Sequence, residues 1–450
     1  MILAPCRIRH VEMEQGFADV AAEADAASVL LVFWWRGIPL GSHLLSAGEL
    51  PMPRSAVANI AAGAVATAVG AQVLDHGFSA PWPVRRRRVR HEPPPDLDAL
   101  KALAVPLERL ATADAGRPRD PEAQRASLII CTRGRPETLL RCLGSLLACP
   151  SGLDEVIVVD NDPGTGDLQR RLEPFPGVRY VRERRPGLSH ARNAGIRVAT
   201  GDIILFTDDD VVVHPEWPLR MIGGFDDPAV MAVTGLVLPA ELESDAQIAF
   251  EWDLGGFGQG FRPIRYDAAF FAAGRDRGVP VWRIGCGASM AFRRSAFAKV
   301  GLFDTRLGAG ASGCSEDSEV WYRLLVAGHV CQYEPSAVVY HYHRADWPSL
   351  RRQAHDYMRG HVVALFVQFW RYRHWGNLWR VFISLPCHYA NLVYLGVRYR
   401  RDARQRLLLA HIGGVLAGLA ASFRLWRKGA AETPDGESRE IGARHIRAAQ

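Results

Sequence analysis

Between residues 127 and 207, short runs of apolar, largely β-branched residues alternate with stretches whose apolar positions recur at helical spacing. "SLIICT" (127–132), "EVIVVD" (155–160), "VRYVRE" (178–183) and "DIILFT" (202–207) read as four buried strands. A turn at Gly134 leads into a helix with Leu139, Leu140, Leu143, Leu146 and Leu147 on one face, and "LSHARNAGIRVA" (188–199) supplies a second helix. Strands apolar on both faces and separated by helices predict an α/β unit with a largely parallel sheet covered on both sides. Sheets of this kind bind ligands beyond the carboxyl ends of their strands, which is where Thr132, Asp160 and the run Asp208-Asp209-Asp210 fall.

The pattern then changes. "VMAVTGLVLP" (230–239), a glycine- and aromatic-rich loop (255–261), "GCGASMAFRR" (285–294) and the helical "SEDSEVWYRLLVAGH" (315–329) predict a second, mixed half, so the main domain spans 125–345. Ahead of it, residues 1–80 combine the strand-like "LLVFWWRGIPLG" (30–41) with an Ala-rich helix (56–74) and form an accessory α+β region. Residues 81–124, with an Arg run and three consecutive prolines, read as a linker enclosing one helix near 97–110. Residues 346–450 are helical and dense in Trp, Tyr, Phe and Arg, as in "FVQFWRYRHWGNLWRVF" (366–382). That interleaving suits a helix in a membrane interface; an amphipathic helix packed on the main domain is the alternative. The stretch 407–423 is apolar but short and carries His411, at the border of what crosses a bilayer, whereas 56–74 is built of Ala and Gly and reads as a packed helix.

Composition alters this picture little. The chain has 450 residues, 48% hydrophobic and 23% charged, which excludes disorder as the default. A net charge of +6 suits anionic partners such as nucleotide phosphates or an anionic membrane surface, and with no nucleic-acid-binding motif, nucleic acid is not an expected partner. Eight scattered cysteines without a CxxC pair argue against a zinc site or a disulfide scaffold, and together with the absence of a signal-peptide pattern they predict a cytoplasmic protein.

Three consecutive carboxylates after a buried strand repel one another, and a divalent cation resolves the repulsion. Residues two apart in an extended segment project to one side, so Asp208 and Asp210 converge while Asp209 points away. Such ligands suit Mg2+ or Mn2+, whose shell substrate phosphates and water complete. The register is a choice between Asp208 with Asp210 and a set centred on Asp209.

"SLIICTRGRPETLLRCLGSLL", "VIVVDNDP", "GLSHARNAGIRVATGDIILFTDDDV" and "SEDSEVWYRL" stand in the order and spacing of the family 2 glycosyltransferases, and the chain resembles that family over about half its length. The resemblance implies a GT-A fold, with a Rossmann-like nucleotide-binding half followed by a mixed acceptor half. It implies a nucleotide-sugar donor, a saccharide or lipid-linked acceptor and one displacement with inversion at the anomeric carbon. By position, Thr132, Arg135 and Asp160 fall where the family meets the nucleotide, as does Arg192, whose alternative is to brace the site through a carboxylate. Asp208 matches the residue contacting ribose or metal, Asp210 the metal ligand, and His341 or His343 a histidine that approaches the metal. Asp317 resembles the general base with Glu316 beside it, Ser315 stands where a helix N-cap would be, and Glu319 reads as a dipole-favoured carboxylate. Gly285 and Gly287 allow close backbone approach, and Trp282 and Trp321 either stack on sugar or fill a core.

The resemblance also implies an enzyme at the inner face of a cell membrane, adding one sugar per encounter, since no set of long apolar spans provides a polymer channel. Two other readings stay open on the residues alone. A nucleotidyltransferase shares the carboxylate-bound cation but would want a glycine-rich phosphate loop where "CTRGRPET" stands, and an inactive nucleotide-sugar binding module would have no use for Asp317.

Overall fold

The computed structural model describes residues 4–23, 25–73, 125–147, 152–162, 167–399 and 402–428, with Leu107 and Cys149 besides. The linker helix expected near 97–110 lies outside these residues, apart from Leu107.

The accessory region is a three-stranded sheet, β1 (Cys6–Glu12), β2 (Ser28–Trp35) and β3 (Ile38–Ser46), crossed by helix α1 (Arg54–Val73). The β2–β3 reversal uses two left-handed residues, Arg36 at φ 48° and Gly37 at φ 74°, the handedness that matches the twist of a two-residue hairpin. α1 lays Val57, Ala61, Val65, Ala68 and Val69 on Val29, Leu31 and Phe33, so the Ala-rich stretch is a packed helix. A Cβ at Gly41 would sit 2.5 Å from the Ala64 carbonyl, so the backbones touch there. The other sheet face contributes Cys6, Leu30, Val32 and Trp34 to the core of the main domain.

The main domain is organised by one mixed sheet. Its parallel part joins β4 (Ala126–Thr132), β5 (Glu155–Asp160), β6 (Val178–Arg182) and β7 (Ile203–Asp208), flanked by α2 (Pro136–Leu146), α3 (Asp167–Arg171) and α4 (Leu188–Val198). Its mixed part holds β8 (Val211–Val213), β9 (Val230–Pro239), β10 (Ile264–Tyr266), β11 (Met290–Arg293) and β12 (Val330–His341). The order is β10-β12-β9-β11-β7-β4-β5-β6, with β8 paired to β12. β11 runs antiparallel to both β7 and β9 and is the seam between the halves. The α/β class and the division into a parallel and a mixed half are as expected, although only Met290–Arg293 of the 285–294 segment is strand.

Helix α5 (Trp217–Gly223) covers the sheet, α6 (Asp245–Ile248) continues as a π-helical turn (Ala249–Asp253), and α7 (Ala268–Gly274), α8 (Arg294–Val300) and α9 (Glu316–Val326) complete the domain. The C-terminal helices follow. α10 (Trp347–Tyr372) starts where the Asp346 carboxylate accepts from the Ser349 amide at 2.8 Å and stops at Arg373, whose φ is 57°. α11 (Gly376–Trp379) passes through a π-helical turn (Arg380–Ser384) into α12 (Leu385–Tyr399), and α13 (Asp402–Arg427) then runs beside α10 in the same direction. Leu407 packs with Leu350 and Ala354 in that pairing.

Candidate active site

β4, β5 and β7 end side by side, because Thr132 is in register with Asp160 and Cys131 with Asp208. The backbone therefore brings Thr132, Asp160 and the aspartate run to one edge. Their side chains then separate. Asp209 is fully buried, accepting from the Thr132 hydroxyl at 2.7 Å and pairing with Arg135 at 2.6 Å. Asp208 keeps a third of its side chain exposed, and Asp210 lies between Arg135 at 2.7 Å, His341 at 3.4 Å and Arg344 at 3.7 Å. Asp209 and Asp210 stand in the turn after β7 rather than in an extended segment, and one guanidinium, that of Arg135, bonds both.

Thr132 and Asp160, expected to meet a nucleotide base, have side chains engaged within the protein. Thr132 is buried against Asp209, and the Asp160 carboxylate accepts from the Tyr180 hydroxyl at 2.8 Å and the Asp162 amide at 2.9 Å. Tyr180 was not legible as a site residue, because only the parallel pairing of β5 with β6 sets it beside Asp160. Burial, and then the bond to Asp160, pushes its hydroxyl up to about 12.

Arg192 takes the bracing alternative. Its guanidinium, 2% exposed, donates to Glu316 at 2.5 Å and to Asp208 at 3.4 Å, so one cation spans the end of β7 and the start of α9. Burial opposes its charge, but Glu316 and Asp208 outweigh burial and hold its pKa above the ordinary arginine value. A Cβ at Gly287 would meet Arg192 at 2.5 Å, so the close approach this glycine permits is to Arg192.

The segment before α9 departs from expectation. Ser315 sits at φ 72° and its side chain caps nothing; its hydroxyl lies 3.1 Å from the Cys314 sulfur. A non-glycine residue held left-handed costs on the order of 1–3 kcal/mol and persists where its surroundings fix it. Here they do. Leu188 donates to the Ala309 carbonyl, Ser189 to that of Leu307 and Arg359 of α10 to that of Ala311, while the Cys314 sulfur reaches the Tyr357 carbonyl. Glu319 is not a solvated dipole partner but is fully buried, bound at 2.8 Å to Arg323, whose guanidinium also donates to the carbonyls of Val300, Gly301 and Leu302.

Asp317 is half-buried, and its carboxylate accepts from the Ser318 amide at 2.6 Å. Burial and then the charge of Glu316 push its pKa up to about 7, the range suited to a base working near neutrality. Asp208 is raised by burial against the pull of Arg192. Burial would also raise Asp210, but the bond and charge of His341, then Arg135 and Arg344, hold it below the usual carboxylate range.

His341 and His343 are both at the site, in series. Their Nδ1 atoms lie 3.0 Å apart, and His343 Nε2 is 3.2 Å from Glu251 in the π-helical turn. Burial lowers the pKa of His343 and so favours its neutral form. Since a carboxylate only accepts, neutral His343 donates from Nε2 and accepts at Nδ1 from His341, which turns His341 Nε2 toward Asp210 at 3.4 Å.

Among the described residues no three His, Cys, Asp or Glu side chains form a closed metal cage. The arrangement instead fits a cation held by one or two carboxylates and completed by phosphates, because His341 Nε2 and the Asp210 carboxylate face each other at 3.4 Å and a cation between them would replace the contact they make with each other. Of the two tryptophans, Trp321 is fully buried and is core, while Trp282 carries the Arg380 guanidinium 3.9 Å over its ring.

Residues 127–301 match the family model described as glycosyl transferase family 2. Over 199 residues the chain is 26% identical to the glucosyl-dolichyl phosphate glucuronosyltransferase of Haloferax volcanii, covering 41% of this chain and 57% of that one. Over 234 residues it is 26% identical to the pre-mycofactocin glycosyltransferase of Mycobacterium tuberculosis, covering 51% and 46% respectively. The chain thus spans about half the length of these relatives. Among solved structures it is similar to a mannosyltransferase from Pyrobaculum calidifontis in complex with GDP-Man and Mn2+, at TM-score 0.40 and 19% identity over 77% of this chain and 93% of the other. The matched region contains Thr132, Arg135, Asp160, Arg192 and the aspartate run and ends before Glu316, and it is over this region that the chain is similar to the family 2 glycosyltransferases.

Proposed function

We propose that the protein transfers a sugar from a nucleotide-diphosphate sugar to a hydroxyl of a saccharide or lipid-linked acceptor, in one displacement that inverts the anomeric carbon. The observation that carries this reading is Arg192, whose single guanidinium ties Asp208 on the donor side to Glu316 beside Asp317 on the acceptor side. Asp208, Asp210 and His341 would hold Mn2+ or Mg2+ against the diphosphate, and the bound cation would supply charge neutralisation for the departing phosphate oxygen. Arg135 and Arg344, which reach Asp210 at 2.7 and 3.7 Å, have the charge to turn toward phosphate once a cation satisfies that carboxylate.

Asp317 takes the proton of the acceptor hydroxyl as its oxygen bonds to the anomeric carbon, and the bond from that carbon to the diphosphate breaks with its electrons leaving on oxygen. Glu316 does not take this part, because its side chain is engaged by the Arg192 guanidinium at 2.5 Å. Asp160 with Tyr180 and Asp209 with Thr132 act beneath this surface by fixing the ends of β5 and β7.

The test is nucleotide release from UDP-, GDP- and dTDP-sugars with Mn2+ or Mg2+, with membrane extract as acceptor source, comparing wild type with Asp210→Asn and Asp317→Asn. Metal-dependent release from one donor, lost in both variants, supports the transferase. A chain that binds a donor with metal but never turns it over is a binding module.

A further inference from the structure

The C-terminal helices leave apolar faces uncovered. Between Val381 and Val397 there is no Asp, Glu, Lys or Arg. Val381, Leu385 and Tyr389 of this stretch pack against Val362 and Leu365 of α10, but the outer face shows Phe382 at 55%, Ile383 at 43%, Val393 at 45% and Tyr394 at 65% exposure. On α13, Leu409, Leu416 and Phe423 recur every seventh residue and so form one stripe, exposed by 81, 61 and 56%. The opposite face of α13 is sealed: a Cβ at Gly414 would lie 2.2 Å from the His355 carbonyl, and one at Gly418 2.7 Å from Val362. Trp375 and Trp426, at the ends of α10 and α13, are exposed by 71 and 61%.

Charge selects the occupant. From Trp347 to Lys428 the sequence has fourteen Lys and Arg against two Asp and Glu, in a chain whose net charge is only +6, so the rest of the molecule is net acidic. Arg371 and Arg373 flank the tryptophan turn, and Arg424, Arg427 and Lys428 flank Trp426. A second copy of the chain would bring the same cations face to face. An anionic bilayer satisfies them and takes the aromatic side chains at headgroup depth.

We propose that α12 and α13 are a seat for an anionic lipid membrane, lying in the plane of the interface rather than crossing it. The segment Arg406–Arg427 is by length and hydropathy able to span, with 22% of its apolar window buried. Its glycine face, however, is fixed along α10, and α10 is fixed to the catalytic loop, where a Cβ at Gly360 would lie 2.5 Å from the Cys314 amide. A crossing α13 would draw Arg351, Arg352, Asp356 and Arg359 of α10 into hydrocarbon. The seat is independent of the proposed chemistry and is tested without it.

The purified full chain is sedimented with vesicles of phosphatidylcholine alone and with vesicles in which about a third of the lipid is phosphatidylglycerol. The expected result is binding at least about tenfold tighter to the anionic vesicles, weakened by salt and released by alkaline carbonate. Arg424→Glu with Arg427→Glu abolishes the preference, and Trp375→Ser with Trp379→Ser weakens binding to both vesicles, each variant keeping the thermal midpoint of wild type. Equal binding to the two vesicles overturns the proposal, as does resistance to carbonate. Self-association lost in the tryptophan variants, with no vesicle binding, assigns the face to a second copy and overturns it as well.

Discussion

Nδ1 of His343 lies 3.0 Å from Nδ1 of His341, and the far nitrogen of His343 meets Glu251 at 3.2 Å. The chain of donors and acceptors directs the Nδ1 proton of His341 toward His343, so Glu251 orients, through two rings, the nitrogen of His341 that faces Asp210. Glu251→Gln, which can donate toward His343 and scramble the tautomers, is expected to weaken Mn2+ binding by roughly 10- to 100-fold. Gly256→Ala, whose new Cβ would fall 2.5 Å from the Glu251 carboxylate, should act in the same direction by displacing it. Calorimetric titration of Mn2+ in the presence of nucleoside diphosphate reads both variants. Unchanged affinity would mean that Glu251 and His343 are only core packing.

Asp317 ties activity to stability through its protonation. Its pKa of about 7 in the folded chain lies well above the ordinary aspartate range, so the folded state binds the extra proton and ionisation works against folding. The penalty is absent below the unfolded pKa, grows between the two values and is complete above about 7. Asp317→Asn should therefore melt a few degrees higher than wild type at pH 8 and no higher near pH 4, while losing on the order of 10²- to 10⁴-fold in kcat. In the wild type, kcat/KM should rise with pH and level off above an apparent pKa near 7. A variant that melts lower at pH 8, or a flat profile, would remove Asp317 from the role of base.

Much of this site was legible because strand ends are a local property. Four apolar runs in an alternating pattern put Asp160 and Asp208 at one sheet edge, whereas the two-residue period does not extend to Asp209 and Asp210, which lie in the turn beyond β7 and share Arg135. What the pattern did not carry were partners set by topology. Arg135 meets Asp210 across 75 residues, Arg192 meets Glu316 across 124 and His343 meets Glu251 across 92. Glu319 misled for a related reason: an acidic residue in a first helical turn looks solvated until the 300–302 loop is found folded over its Arg323 partner. The left-handed Ser315 had no sequence signal, since a serine before a helix is the ordinary sign of a capping residue.

Arg192 is a buried cation with two anionic partners, and removing one side of such an arrangement is costly. Arg192→Met leaves Glu316 buried without its counter-ion and is expected to lose about 3–5 kcal/mol of stability. Arg192→Met with Glu316→Gln should recover most of that loss in thermal denaturation. Activity should not return with it, because the end of β7 at Asp208 and the start of α9 beside Asp317 would no longer be held by a common group. Additive losses in the double variant would show that the two side chains are not energetically coupled.

The contact between α10 and the loop before α9 offers a separate handle on acceptor chemistry. A Cβ at Gly360 would press on the Cys314 amide at 2.5 Å and on its carbonyl at 2.7 Å, and one at Gly313 would lie 2.4 Å from the Asp356 carbonyl. These are backbone contacts that a rotamer change cannot relieve. Gly360→Val must therefore shift the 313–315 segment, and Ser315, already held left-handed, is the residue next to Glu316 and Asp317. The donor half, built on β4, β5 and β7, has no part in that contact. The expected outcome is a fall of tenfold or more in kcat, of the size that a misplacement near 1 Å produces, with donor Kd within about twofold of wild type. Donor affinity is read by nucleotide-sugar titration and kcat by nucleotide release at saturating donor. If both fell together the loop would be part of the donor site, and if neither moved the clamp would be structural only.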